Sequence, residues 1–261
     1  MINKGILPDL ALIYNQYIES ENKANTEERY IGKEHFFGAS GTNMCFRKHW
    51  YRRNKIEETE TTDMVSNRKM RLGTIQHTDF ENALNWFSNI LKNDFDNSIY
   101  NNTNTSSNNS SIETIVTEGE IILPELNVRG FYDLVIVMKT GEVYLYDFKT
   151  IASYPYKMKF GRNKIPQKVP THETQLATYG MGVKKEFGRL DGMFLYYYNK
   201  DTSINKQVEV SMDWLWDAEQ YWIKANDICT GEIPPPVRVQ ESPMHKWECG
   251  YCNYLTYCQE N

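Results

Sequence analysis

Apolar positions recur along this chain at two spacings, and the change from one to the other divides it. Met70, Gly73, His77, Phe80, Leu84, Phe87 and Leu91 follow one another at intervals of 3, 4, 3, 4, 3 and 4 residues, one continuous helix face. A weaker helical pattern covers residues 8–22 (Leu10, Ile13, Tyr14, Tyr17, Ile18). Another helix is predicted to start near Ser40, a suitable N-cap, and to run through Cys45 and Trp50. After residue 111 the pattern becomes that of strands. Residues 114–123, 128–138 and 142–148 are rich in Val, Ile, Tyr and Leu, the last two joined at Lys139-Thr140-Gly141. Residues 173–187 and 212–229 read as helices and 193–198 as a strand, and Pro234-Pro235-Pro236 breaks the chain before a Cys- and Tyr-rich end. From 101 to 111 every residue is Asn, Thr or Ser, which has nothing to bury. No internal repeat is visible. The order implies a single α/β domain over residues 1–261, a mixed sheet with helices on both sides. It carries an N-terminal helical extension (1–35), a flexible insert (93–111) and a C-terminal segment (234–258).

The hairpin is where chemistry enters. If Lys139-Thr140-Gly141 is a three-residue loop with its glycine left-handed, Met138 faces Glu142, Val135 faces Leu145 and Asp133 faces Asp147. The strands are apolar on both faces, so two aspartates stand at the end of a covered ladder with Cβ atoms about 5 Å apart. Like charges there are unfavourable unless one carboxyl keeps its proton or a cation sits between them. A hard divalent ion, Mg²⁺ or Mn²⁺, answers the problem. Lys149, two residues after Asp147 on the same face, is suited to hold and help deprotonate a water that attacks a phosphate.

Other residues add to this picture in different degrees. His77 lies on the core-facing stripe of its helix, where a histidine is either a satisfied core residue or a third ligand. Gly73, one turn earlier, would let that turn approach the sheet. Gln175 and Tyr179 share a face of the next helix. Residues 151–170 hold Lys157, Lys159, Arg162, Lys164 and Lys168 and no acid, which reads either as a phosphate-contacting lid or as a solvated basic loop.

Composition narrows the class. The chain has 261 residues, 40% of them hydrophobic, and 29 Lys+Arg against 34 Asp+Glu for a net charge of -5. That is an ordinary globular balance and excludes a non-specific nucleic-acid coat. No apolar run spans a membrane. The stretch around Pro8 and Asp9 lacks the order of a secretory signal, so a cytoplasmic location is expected. In that reducing setting, Cys249, Cys252 and Cys258, with Cys45 as a fourth, suit zinc or an iron–sulfur cluster, and spacing alone does not choose. Such ligation would pin the two ends of the domain together. Cys229 is left over as a buried thiol on a helix.

Taken together, the motifs Gly73-x-x-x-His77, Gly130-Phe131-Tyr132-Asp133, Asp147-Phe148-Lys149 and Gln175-Leu176-x-x-Tyr179 resemble, in order and spacing, the RecB-like branch of the PD-(D/E)xK nucleases. The segment Ser40 to Lys48 is similar to that branch's N-terminal motif ending in Cys-Pro-Arg, with Phe46 in place of the proline. The one-plus-three cysteines resemble the [4Fe–4S] members, among them the CRISPR-associated RecB-like exonucleases and the AddB nuclease domain. The resemblance covers residues 36–258 and implies a restriction-endonuclease-like core. It implies a metal-dependent DNA nuclease, an exonuclease on single strands or DNA ends, in which His77, Asp133, Asp147 and the carbonyl of Phe148 hold Mg²⁺ or Mn²⁺. Lys149 would assist the attacking water, with Gln175, Tyr179 and the basic residues 157–164 supporting the site or touching DNA. Cys45, Cys249, Cys252 and Cys258 would hold the cluster. The Asn/Ser/Thr insert has no counterpart in that pattern, and no helicase motif accompanies it. The chain would then act alone or with a helicase or recombination partner. Repair, recombination and phage replication all use this chemistry. The alternative is a non-catalytic DNA-binding or assembly subunit.

Overall fold

A computed structural model of the chain describes residues 9–30, 36–92, 111–162, 170–235 and 246–260. The insert, apart from Ser111, together with Lys164 and Lys168, lies outside the described residues. Helices α1 (Leu10–Tyr30), α2 (Phe46–Arg53) and α3 (Met64–Lys92) precede the hairpin strands β2 (Ile112–Leu123), β3 (Val128–Met138) and β4 (Val143–Ile151). A two-residue strand, β1 (Phe37–Gly38), lies before α2. Helices α4 (Ser153–Phe160) and α5 (Thr171–Phe187) follow, then strands β5 (Gly192–Asn199) and β6 (Asn205–Val210), and helices α6 (Trp214–Cys229) and α7 (Leu255–Glu260).

The six strands form one mixed sheet. β2, β3 and β4 are a meander; β4 crosses through α4 and α5 to the parallel β5, which pairs antiparallel with β6. The expected hairpin register holds: Leu134 pairs Tyr146, Val135 pairs Leu145 and Val137 pairs Val143. Gly141 takes φ +92°, and its N–H donates to the Met138 carbonyl at 2.8 Å. A side chain there would force a left-handed conformation that only glycine adopts without cost. One sheet face is covered by α5 and α6 through Leu176, Val183 and Trp222, all fully buried with Val135, Leu145 and Leu195. On the other face α3 packs Phe80 against Phe148, Tyr196 and Tyr198, at ring separations of 5.1, 5.2 and 5.9 Å. Helix α1 docks on α3 through buried Ile18 and the Asn15–Arg68 and Tyr17–Arg71 hydrogen bonds.

Two local expectations are corrected, and one strand has no counterpart in the sequence reading. Ser40 does not cap a helix: residues Ala39–Gly41 form a single 3₁₀ turn, Asn43 takes φ +59°, and α2 begins only at Phe46. Residues 153–160, expected within a basic connection, are the helix α4. β6 is an edge strand of mostly exposed polar residues, so it carries no apolar alternation from which to predict it.

Candidate active site

The sheet forks beside β3. Along one edge, β1 pairs with Val128 and Arg129, whereas β4 pairs only from Leu134 onward. Residues 130–133 have neither neighbour, and a cleft of about 630 Å³ opens there, lined by α3, α5 and both strands of the fork. Ligand crevices form at such divergences because the strand ends are held rigidly while the gap stays open. Gly73 is what brings α3 to the rim: a Cβ there would stand 3.1 Å from Thr150 Oγ1.

Asp133 occupies the fork itself. Past the last hairpin pair, the Phe148 N–H has lost its β3 partner and donates instead to Asp133 Oδ2 at 2.5 Å. Asp147, directly beyond that pair on β4, is 2% exposed, and its Oδ2 lies 2.5 Å from Lys149 Nζ. Lys149 Nζ also donates to Gln175 Oε1 at 3.1 Å, and Gln175 Nε2 donates to the Tyr179 hydroxyl at 2.8 Å. The i, i+4 pair on α5 thus forms a short chain of hydrogen bonds that fixes the lysine amine over the cleft. His77 reaches in from α3, its Nδ1 3.6 Å from Asp133 Oδ1. Of the sequence-predicted residues, His77, Asp133, Asp147, Lys149, Gln175 and Tyr179 line this one cleft; Phe148, expected to offer its carbonyl, is not among the lining residues, and its ring packs on Phe80 of α3.

Sequence reasoning missed Glu118. It stands in β2 between Thr117, paired with Leu134, and Gly119, paired with Tyr132, which places it across from Asp133. Its φ is +51°, unusual for a glutamate within a strand. Ligand atoms of His77, Glu118 and Asp133 lie within 4.8 Å of one another; Asp147 does not belong to that group. The signal available was Gly119, since an isolated glycine in a strand marks a bulge or a distortion.

Burial first, then the charge of Asp133, pushes the Asp147 carboxyl up to about 7 against the pull of Lys149. Burial opposes protonation of His77, but the Asp133 carboxylate outweighs it and the net shift is upward. The site is therefore a set of crowded carboxylates with hard oxygen donors and one imidazole, all facing a cleft. That donor set fits Mg²⁺ or Mn²⁺.

The basic residues fall differently from the sequence expectation. Lys159 donates to Glu173 at 2.8 Å and lies 5.0 Å over the Tyr197 ring, its side chain 16% exposed. Neither it, Lys157 nor exposed Arg162 lines the cleft; Lys69, Arg129 and Lys200 do. Lys200 Nζ donates to the Lys69 carbonyl at 3.4 Å, and the Arg129 guanidinium pairs with Glu120 and sits 5.1 Å over Phe131.

The segment around α2 meets the C-terminal Cys- and Tyr-rich segment. The Cys45 N–H donates to Glu248 Oε1 at 3.3 Å, next to Cys249, and the Cys252 N–H donates to the Cys249 carbonyl at 3.2 Å. Buried Tyr51 of α2 packs 5.2 Å from both Tyr254 and Tyr257. Glu60 receives the N–H groups of Leu255 and Thr256, fixing the start of α7. Among the described residues no three cysteine sulfurs lie within 4.8 Å of one another. Cys229 is buried on α6, its thiol donating to the Phe46 carbonyl at 3.3 Å and lying close enough to Cys45 to interact with it electrostatically. No helix among the described residues is long and apolar enough to cross a membrane.

In solved structures the same fold occurs in the protein SSO0001, at 17% identity and a TM-score of 0.53, over 94% of this chain and 96% of that one. It also occurs in a candidate exonuclease from Eubacterium rectale, at 14% identity and a TM-score of 0.50, over 81% and 89% of the two chains. No curated protein matches the sequence. Residues 45–259 match the family model described as the PD-(D/E)XK nuclease superfamily. With that match covering most of its length and the motif acids and lysine gathered in one cleft, the chain belongs to the PD-(D/E)XK nuclease superfamily.

Proposed function

We propose that the protein is a metal-dependent DNA exonuclease of the RecB-like branch, acting on single-stranded DNA or DNA ends. The observation that carries it is the fork in the sheet, where Asp133, Asp147 and Lys149 share one cleft with His77. His77, Asp133, Asp147 and the Phe148 carbonyl would hold Mg²⁺ or Mn²⁺, which supplies Lewis acidity toward the scissile phosphate and acidifies a bound water. Lys149 Nζ, steered by Gln175 and through it by Tyr179, positions the attacking water and takes part in removing its proton. Lys69, Lys200 and Arg129 on the cleft rim supply positive charge to a phosphate backbone.

The four cysteines would hold a [4Fe–4S] cluster that staples the N- and C-terminal segments. A single tetrahedral zinc ion, with Zn–S bonds of about 2.3 Å, draws its thiolates to about 3.8 Å of one another. Four thiolates suit either centre, and metal analysis of the purified protein separates them.

The test is a time course on end-labelled single-stranded, end-labelled duplex and circular DNA, with Mg²⁺ or Mn²⁺ and with chelator. Linear DNA is expected to be degraded from its ends only with metal, and Lys149→Ala to abolish this in a folded protein. Cleavage of circles at the rate of linear DNA would make it an endonuclease. Binding without cleavage under any divalent ion would make it a non-catalytic DNA-binding or assembly subunit.

A further inference from the structure

We propose that Glu118 is a metal ligand: with His77 and Asp133 it holds a divalent cation beside the position that Asp133 shares with Asp147. This rests on the nuclease reading and adds to it a residue outside every motif of the sequence. Ligands of one ion with bonds of about 2.1 Å lie at most about 4.2 Å apart. The donor atoms of His77, Glu118 and Asp133 are already within 4.8 Å of one another, so small side-chain adjustments close the site. The His77 Nδ1 to Asp133 Oδ1 separation of 3.6 Å is too long for a good hydrogen bond. It lies near the roughly 3.0–3.5 Å that separates neighbouring ligands of such an ion. Asp147 stands outside that group of close donor atoms, its Oδ2 turned to Lys149. The backbone agrees: the β2–β3 register is the same on both sides of Glu118, and Glu118 itself takes a positive φ of +51° between two regularly paired neighbours. One imidazole and two carboxylates favour Mn²⁺ over Mg²⁺.

The experiment measures Mn²⁺ binding to metal-stripped protein by the electron spin resonance of free Mn²⁺, with no DNA present. Asp147→Asn removes the neighbouring position and is expected to leave saturable Mn²⁺ binding at this one. Adding Glu118→Asn in that background is expected to weaken it about tenfold or more, the scale of changes around bound metals. Asparagine tolerates the left-handed backbone, so melting temperature should hold and folding is controlled. Equal affinity in the single and double variants would overturn the assignment. So would the absence of a saturable site in Asp147→Asn alone when the unmutated protein binds Mn²⁺. No binding even by the unmutated protein would instead bring down the metal-dependent reading as a whole.

Discussion

Replacing Asp147 by asparagine should stabilise the metal-free protein at pH 8 while destroying its activity. The carboxyl is 2% exposed, and burial with the Asp133 charge raises it from 3.8 to about 7. Because the folded-state value lies above the unfolded one, the folded chain binds the extra proton between pH 4 and 7. Stability therefore falls as pH rises through that window, and the cost is fully present above it. About three decades of proton affinity at ~1.4 kcal/mol each set an upper bound of about 4 kcal/mol. The asparagine variant escapes that cost, in which the pull of Lys149 is already counted, and about half of the bound, a gain of about 2 kcal/mol, is expected once local relaxation around the ionised carboxyl is allowed for. At 2–4 °C per kcal/mol for a chain of this size, the melting temperature should rise by about 4–8 °C. Thermal melts of both proteins in chelator, from pH 5 to 8.5, read this directly. The gap should be largest at pH 8 and close near pH 5, where Asp147 is protonated in the folded state. Adding Mn²⁺ at pH 8 should raise the melting point of the unmutated protein more, since ligand binding to the native state stabilises it by mass action. A variant that melts at or below the unmutated protein in chelator at pH 8, or a gap that ignores pH, refutes the reasoning.

Other consequences are as specific. Gln175→Ala removes the acceptor that holds Lys149 Nζ; kcat should fall about 10–100-fold with KM little changed, measured on linear DNA at saturating Mn²⁺. Anaerobically purified protein should be brown and contain iron and sulfide, and Cys252→Ser should lose both, whereas Cys229→Ser should keep them because that thiol donates to the Phe46 carbonyl and a serine hydroxyl can do the same. Colourless, zinc-containing protein would refute the cluster. Gly141→Val, at φ +92°, should destabilise the hairpin by about 1–2 kcal/mol in urea melts.

Much of the catalytic geometry was readable because it depends on strand parity. Once Gly141 fixed a three-residue loop, the positions of Asp133 and Asp147 on paired strands followed. So did the placement of Lys149 beside Asp147, since side chains two residues apart share a face. The 3.6-residue period likewise placed His77 and Gly73 on one side of α3. Features set by long-range pairing were not readable in this way. The fork exists because β1 takes Val128 and Arg129 of the β3 edge and β4 pairs only from Leu134 onward, and a two-residue strand carries no pattern. The same limit explains the basic residues. Charge along residues 151–170 suggested a lid, yet Lys159 is taken up by Glu173 from α5, a partner fourteen positions away.

Glu118 shows the limit most sharply, and also why the fork matters. A glutamate followed by glycine in a strand has no chemistry of its own. It gains one only because β2 pairs with the same β3 segment that the fork leaves open on its other edge. Asp133 is thus reached from both sides, by the Phe148 N–H on the β4 side and by Glu118 across from it on β2. A carboxylate in that position is held rigidly between two strands rather than on a loop, which suits a ligand that must keep its place while charge develops on a phosphate. An acid moved from Asp133 to a neighbouring position would lose one side or the other. Asp133→Glu should therefore fail as completely as Asp133→Ala, whereas Asp147→Glu, which lengthens an arm at the edge of the cleft, should keep measurable metal-dependent cleavage.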